Sequence, residues 1–345
     1  MKHLLIFAIL IFSTNCFSQK EELFNLINKG QYEKAIEIGK GLLITEPDSI
    51  NTYLSLLKAY NGYCDYENAQ KYIDKSLELS KANWQYSWTY IEATNAYFGT
   101  GNVKKARKMY EKAKMFEGTK NSVKALNSFS LLFGFDDIYN DWEKVETENM
   151  IFHFQNGISK NDIDYIVKSR QSAFEEINSY FNSKLPKKID FFVWNQSESF
   201  NPYLKTNLGF SNPKFCISHI RMKQSKGHEI AHNISFWYNK NNNRNGFINE
   251  GIGVCFDLEN NDKLQIAKEI YKTNQIEIKE MWKSPNLFKE SLLYPISGAF
   301  ICFLKDYDKN KFLQLVENQS YESAEKIYEG KIDELISQFT NSLKQ

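Results

Sequence analysis

A short pattern that returns three times constrains the first half of this chain more than any other feature. Gly30-x-Tyr32-x-x-Ala35 reappears as Asp65-Tyr66-x-x-Ala69 and again as Gly101-x-Val103-x-x-Ala106, with the alanines 34 and then 37 residues apart. Leu57-x-Ala59-Tyr60 and Ala93-x-x-Ala96-Tyr97 lie between the copies, and Pro47 falls where the second helix of a pair would stop. Such a period holds two helices and their turns. A helix pair of this size cannot bury its apolar face alone, so neighbouring pairs must stack on one another. Residues 19–135 are therefore expected to form an all-α stack, with a generic helical bundle as the other arrangement the pattern allows. This stretch has no cluster of His, Cys or acidic residues that suggests chemistry, and it reads as a scaffold or docking surface.

Ahead of the repeats, Met1-Lys2-His3 is a short basic start and Leu4 to Phe12 is an unbroken apolar run. Spanning a bilayer takes about 20 apolar residues, so the run fits the core of a signal peptide covering 1–18, cleaved before Gln19. The expectation is export to the periplasm or the outside, with no transmembrane segment left after cleavage. Cys16 as a lipoprotein cysteine is the alternative, against which Ser13-Thr14-Asn15 makes a poor lipobox. With 43 basic against 42 acidic residues the net charge is +1, which offers nucleic acid no electrostatic footprint. The four cysteines beyond the leader, Cys64, Cys216, Cys255 and Cys302, have no C-x-x-C spacing. That argues against a Cys-type zinc site or redox motif, and the thiols are expected to be buried and free.

Composition changes near Asp136-Asp137, and 136–149 reads as a charged junction. Beyond it, Met150 to Phe154, Ile189 to Trp194 and Lys214 to Met222 have strand character, the last through Phe215, Ile217 and Ile220. A helical stretch separates the first two strands, and from Ser225 onward the pattern is mostly helical. Strands followed by helices indicate an α+β domain over 150–345. His153 and His219 stand alone within strands and read as satisfied structural histidines.

The chemistry concentrates in Lys226-Gly227-His228-Glu229-Ile230-Ala231-His232-Asn233. Histidines four apart on a helix project from one face, so His228 and His232 can reach a single metal ion. Glu229 is turned by about 100° from His228. There its carboxylate can take a proton from a water that such an ion activates. Ile230, Ile234 and Trp237 gather on the opposite side as a core-facing stripe.

A second segment, Phe247-Ile248-Asn249-Glu250-Gly251-Ile252-Gly253, resembles the third-ligand helix of the gluzincin zinc peptidases. A carboxylate there would complete a His, His, Glu set and leave one zinc position open; a solvated carboxylate at a helix start is the plainer alternative. Gly251 and Gly253 are poor helix formers, and close approach of two helix backbones would account for them. Metzincins need Gly and a third His soon after His232, and residues 233–243 contain neither.

On these motifs the stretch from about Trp142 to Phe339 resembles the peptidase MA-like domain, a relative of thermolysin and of the aminopeptidase N-like gluzincins. Tyr294-x-x-Ser297-Gly298-Ala299-Phe300-Ile301-x-Phe303-Leu304 is similar to the family's Tyr-led apolar helix, and Ala324 to Phe339 to its usual ending. The first half resembles tetratricopeptide repeats. The resemblance implies one zinc ion per chain on His228, His232 and Glu250, Glu229 as general base and Tyr294 as oxyanion donor. Pro295 directly after it and Gly298 one place late depart from the family pattern, a Pro being acceptable at a first helical position; a packing tyrosine is the alternative for Tyr294. No Gly-x-Met-Glu-Asn segment precedes His228, so the resemblance favours an endopeptidase over an aminopeptidase. Two functions compete. One is a secreted zinc peptidase whose repeats dock a peptide or protein substrate, or a protein partner. The other is a non-catalytic binding or assembly protein with a relic metallopeptidase fold. Retention of Glu229 beside both histidines favours the first.

Overall fold

A computed structural model describes residues 18–195, 209–240, 243–274 and 276–345. The apolar leader and Cys16 lie outside them. The chain is mostly helical with one small mixed sheet, and it divides into two compact units, the first ending at Tyr139 and the second covering Asn140–Gln345.

The first unit is a run of helices: α1 (residues 18–28), α2 (Tyr32–Thr45), α3 (Ile50–Gly62), α4 (Tyr66–Gln70), α5 (Ile73–Leu79), α6 (Asn83–Gly99), α7 (Val103–Lys114) and α8 (Lys120–Leu132). The recurring alanines Ala35, Ala69 and Ala106 are fully buried, where their small side chains let helices approach closely. A second contact recurs with them. The ring of Tyr32 lies on Gly62 and that of Tyr66 on Gly99, so closely that a Cβ at either glycine would fall 2.3 or 2.4 Å from a ring carbon. The turn before each alanine repeats too. Gly30, Cys64 and Gly101 stand five residues ahead of their alanines, with φ of 71°, 59° and 79°. Glycine adopts this left-handed conformation freely; a side chain there costs about 1–2 kcal/mol. Aligned on Asp65-Tyr66, the sequence hides Cys64 as the equivalent position. Between α4 and α5 the chain breaks without Gly or Pro, and Tyr72 there stacks on Tyr60 at 5.4 Å.

The second unit contains strands β1 (Glu143–Glu146), β2 (Met150–Phe154), β3 (Ile189–Trp194), β4 (Phe210–Asn212) and β5 (Ile217–Arg221) in the order β1-β2-β3-β5-β4. The central three are parallel; β1 and β4 pair antiparallel at the edges. Helix α9 (Lys160–Phe181) connects β2 to β3. The remaining helices are α10 (His228–Tyr238), α11 (Gly246–Cys255), α12 (Lys263–Thr273), α13 (Ile278–Lys283), α14 (Glu290–Tyr307), α15 (Lys309–Glu317), α16 (Tyr321–Ile327) and α17 (Ile332–Lys344). Phe152, Phe191, Ile177, Phe181, Trp282 and Phe300 belong to one buried apolar cluster.

Three expectations change here. The charged stretch 143–146 is not junction but edge strand β1; charges on an edge blunt further pairing, so a strand there looks like a linker. Phe215 sits in the short 3-10 turn Pro213–Phe215, because Pro213 cannot enter a ladder, and β5 starts only at Ile217. Cys255 and Cys302 form a disulfide between α11 and α14, with Cα atoms 5.4 Å apart, whereas Cys64 and Cys216 are buried free thiols. Sequence spacing alone cannot reveal such a pairing. The two strand histidines are partnered: His153 Nε2 lies 2.8 Å from Asp190 Oδ1, and Trp194 Nε1 donates to His219 Nδ1 at 3.2 Å.

Candidate metal centre

Helix α10 is laid on the sheet by its own polar stripe. Asn233, fully buried, donates to Ser218 Oγ of β5 at 2.9 Å and to the Glu229 carbonyl at 2.9 Å. Ile230, Ala231 and Ile234 are fully buried on the core side. The N-terminus of α10 abuts the end of α11: Gly227 N donates to the Asp257 carbonyl at 2.9 Å, and a Cβ at Gly227 would sit 2.1 Å from the Phe256 carbonyl oxygen. Only glycine fits that approach.

Consecutive helices thereby bring His228, His232 and Glu250 to one point. The Nε2 atoms of the two histidines are 3.0 Å apart, and Glu250 Oε2 is 3.4 and 3.5 Å from them. The last two distances are long for hydrogen bonds, whose N–H···O range is about 2.7–3.2 Å. They match the roughly 3.3 Å edge between donors around a tetrahedral ion with bonds of about 2.0–2.1 Å. The donor set, two imidazoles and a carboxylate, suits zinc. His232 is nearly buried, while His228 and Glu250 keep an edge toward the cleft. Burial alone would lower the His228 pKa, but Glu250, Glu229 and Asp257 outweigh it and raise it. For Glu250 burial pushes upward, and the facing imidazoles win and hold the carboxyl well below its usual range. His228 and Glu250 are thus both biased toward their charged forms and face one another across 3.4 Å. His232 Nδ1 has no hydrogen-bond partner, so no described residue orients that ring from behind.

The two glycines of α11 have different reasons. A Cβ at Gly253 would lie 2.6 Å from His228 Cε1, so the imidazole rests on bare backbone. Gly251 faces the other way, where a Cβ would meet Ile301 Cγ1 at 2.5 Å and the Ser297 carbonyl oxygen at 2.8 Å. The close helix–helix approach expected from these glycines therefore lies between α11 and α14; the histidine helix contributes only its ring, at Gly253.

Glu229 lines the same cleft, of about 680 Å³, and its Oε2 is buried without a partner. Tyr294 lines it as well, its ring stacked toward His228 at 5.9 Å between centroids. Burial, then the charges of Glu250 and Glu290, push its phenol pKa upward, so the hydroxyl stays protonated as a donor. The helix that carries it begins at Glu290 rather than at Pro295, with Leu292 and Leu293 already bonded back to the Lys289 carbonyl. Pro295 thus lies inside the helix, at its sixth residue, where it cannot donate back to the Ser291 carbonyl. All five expected residues border one cleft. Arg244, Asn249 and Gln224 also line it. Of these, Arg244 had one available signal, as the lone cation in the asparagine-rich run 241–245.

No protein-family model matches the chain, and no curated protein matches it either.

Proposed function

We propose that the chain is a zinc-dependent peptidase, an endopeptidase rather than an aminopeptidase, with one ion held by His228, His232 and Glu250. The observation that carries this reading is the convergence of three ligand atoms, 3.0 to 3.5 Å apart, beside a buried carboxylate oxygen with no partner. When bound, the ion would supply a Lewis acid that makes a water nucleophilic at neutral pH. Glu229 accepts the proton that this water loses and returns it to the amine as the C–N bond breaks. Tyr294 donates a hydrogen bond to the oxygen on which negative charge develops.

The reading extends to the rest of the chain. Recurring alanine, Tyr–Gly and left-handed turn contacts support a tetratricopeptide-like stack that docks a protein substrate or partner. A disulfide between Cys255 and Cys302 supports export to an oxidising compartment. Among the described residues no helix is long and apolar enough to cross a membrane.

Elemental analysis together with digestion of a peptide library tests this reading. Wild type should carry about one zinc per chain, and His232→Ala should lose it. Glu229→Gln should keep its zinc and its melting temperature while hydrolysis falls by at least about 10²-fold. Tyr294→Phe should keep zinc and lose roughly 10²-fold in turnover. Full activity of Glu229→Gln on a verified substrate would remove the hydrolytic mechanism.

A further inference from the structure

The cleft holds a positive charge for which proton transfer and oxyanion binding have no use. Arg244 lines the same cleft as Glu229, Glu250 and Tyr294, two residues ahead of α11. Its guanidinium lies over the Phe236 ring, 5.0 Å from the centroid. Among the described residues its one hydrogen-bond contact is from Nη2 to Ser235 Oγ, at 3.4 Å, at the far edge of hydrogen bonding. Among the described residues no carboxylate forms an ion pair with it; Glu250 is turned to the two imidazoles. Burial lowers its pKa to about 10, against the pull of Glu250. The group therefore remains cationic at neutral pH.

A guanidinium taken out of water without an acceptor is costly. The chain uses arginine at only four positions, 107, 170, 221 and 244. Arg170, which is buried, offsets that cost by donating to the backbone carbonyl of Gln224, at 2.6 Å. Arg244 makes no such contact. Its side chain is half-buried and lines the cleft, and among the described residues its other guanidinium nitrogens make no hydrogen bond. A planar fork with free parallel N–H groups is complementary to a carboxylate, which accepts two of them at once.

Resting on the peptidase reading, we propose that Arg244 holds a carboxylate of the peptide substrate, so that the cleft selects peptides with an anionic group close to the bond cleaved. That carboxylate is either the free C-terminus or an Asp or Glu side chain. Matched fluorogenic peptides separate the two sources: one pair differs only in a C-terminal acid or amide, the other, amidated, in Glu or Gln.

Wild type should show a KM at least roughly 10-fold lower for the carboxylate member of one pair, the size of a charge-assisted bidentate contact. In Arg244→Gln that ratio should fall to about one, with zinc content and melting temperature held near wild type. Arg244→Lys, which keeps the charge without the fork, should fall between. Calorimetric titration of the same peptides into Glu229→Gln gives the affinity ratio without turnover, and titration into metal-free wild type gives it without the ion. If wild type cleaves both members of both pairs with equal KM, or Arg244→Gln keeps the preference, the assignment of Arg244 is wrong and the peptidase stands. If nothing is cleaved yet the metal-free protein binds the carboxylate member tighter through Arg244, the peptidase reading fails and the anion site stands.

Discussion

Replacing Gly253 with alanine should unseat one metal ligand without unfolding the protein. The added methyl would lie 2.6, 2.8 and 2.9 Å from three atoms of the His228 ring. Ordinary contact begins near 3.4 Å, so the imidazole must retreat by about 0.8 Å. Metal–nitrogen bonds tolerate deviations of about 0.2 Å, and the displacement is several times larger. The ligand is lost or held off its geometry, and zinc affinity should fall by at least about 100-fold. Helix propensity works in the opposite direction for the fold, because alanine in a helix interior is about 0.8–1 kcal/mol better than glycine. Metal-free Gly253→Ala should therefore melt close to metal-free wild type. Competition with a chromophoric chelator measures the affinity, and thermal melts in excess chelator measure the fold. Gly251→Ala is the control. Its methyl would strike Ile301 and the Ser297 carbonyl, so it should lower stability of the metal-free protein. Zinc binding by Gly253→Ala as tight as wild type would refute the placement of His228 and the ligand set built on it.

Asp190 provides a pH prediction. Burial would raise its pKa, but Lys187 and His153 outweigh burial and hold the carboxyl far below its usual value. A depressed folded-state pKa contributes stability above the unfolded value near 4 and loses it as pH falls below that. Asp190→Asn should therefore destabilise at pH 7, by about 3–5 kcal/mol, and progressively less as pH falls below about 4 toward the depressed folded-state value; a loss that does not shrink on acidification would contradict the pairing. The disulfide closes a loop with a sequence separation of 47. Mild reduction should cost about 2–4 kcal/mol and lower the melting temperature by roughly 5–15 °C. Thiol titration before reduction should leave Cys255 and Cys302 unreactive, and rapid labelling of either would overturn the pairing.

The ligand cluster was legible because its information is local. His228 and His232 are one helical turn apart, which spacing shows directly, whereas Glu250 on the next helix is singled out by the resemblance of its segment to the gluzincin third-ligand helix. What sequence could not supply depends on contacts between distant segments. The union of Cys255 with Cys302 and the opposite duties of Gly251 and Gly253 are set by how α11 meets α14. Strand β1 was read as linker because Glu143, Lys144 and Glu146 carry the charge expected of either. Cys64 escaped notice because backbone conformation, not composition, makes it the counterpart of Gly30 and Gly101. Arg244 carries no spacing signal, and that no carboxylate among the described residues forms an ion pair with it is visible only in three dimensions.

The contact between α11 and α14 has a mechanical consequence. Gly251 meets Ser297 and Ile301, Gly298 meets Val254, and a covalent bond joins Cys255 to Cys302. Helices in such contact cannot slide past one another by a fraction of a turn without breaking one of the three attachments. Glu250 and Tyr294 are thus borne by a single stiff block, like two fittings on one casting. Any breathing of the cleft should therefore leave the carboxylate and the phenol moving together, and fall more readily on β4, a three-residue edge strand that also lines the cleft and pairs with β5.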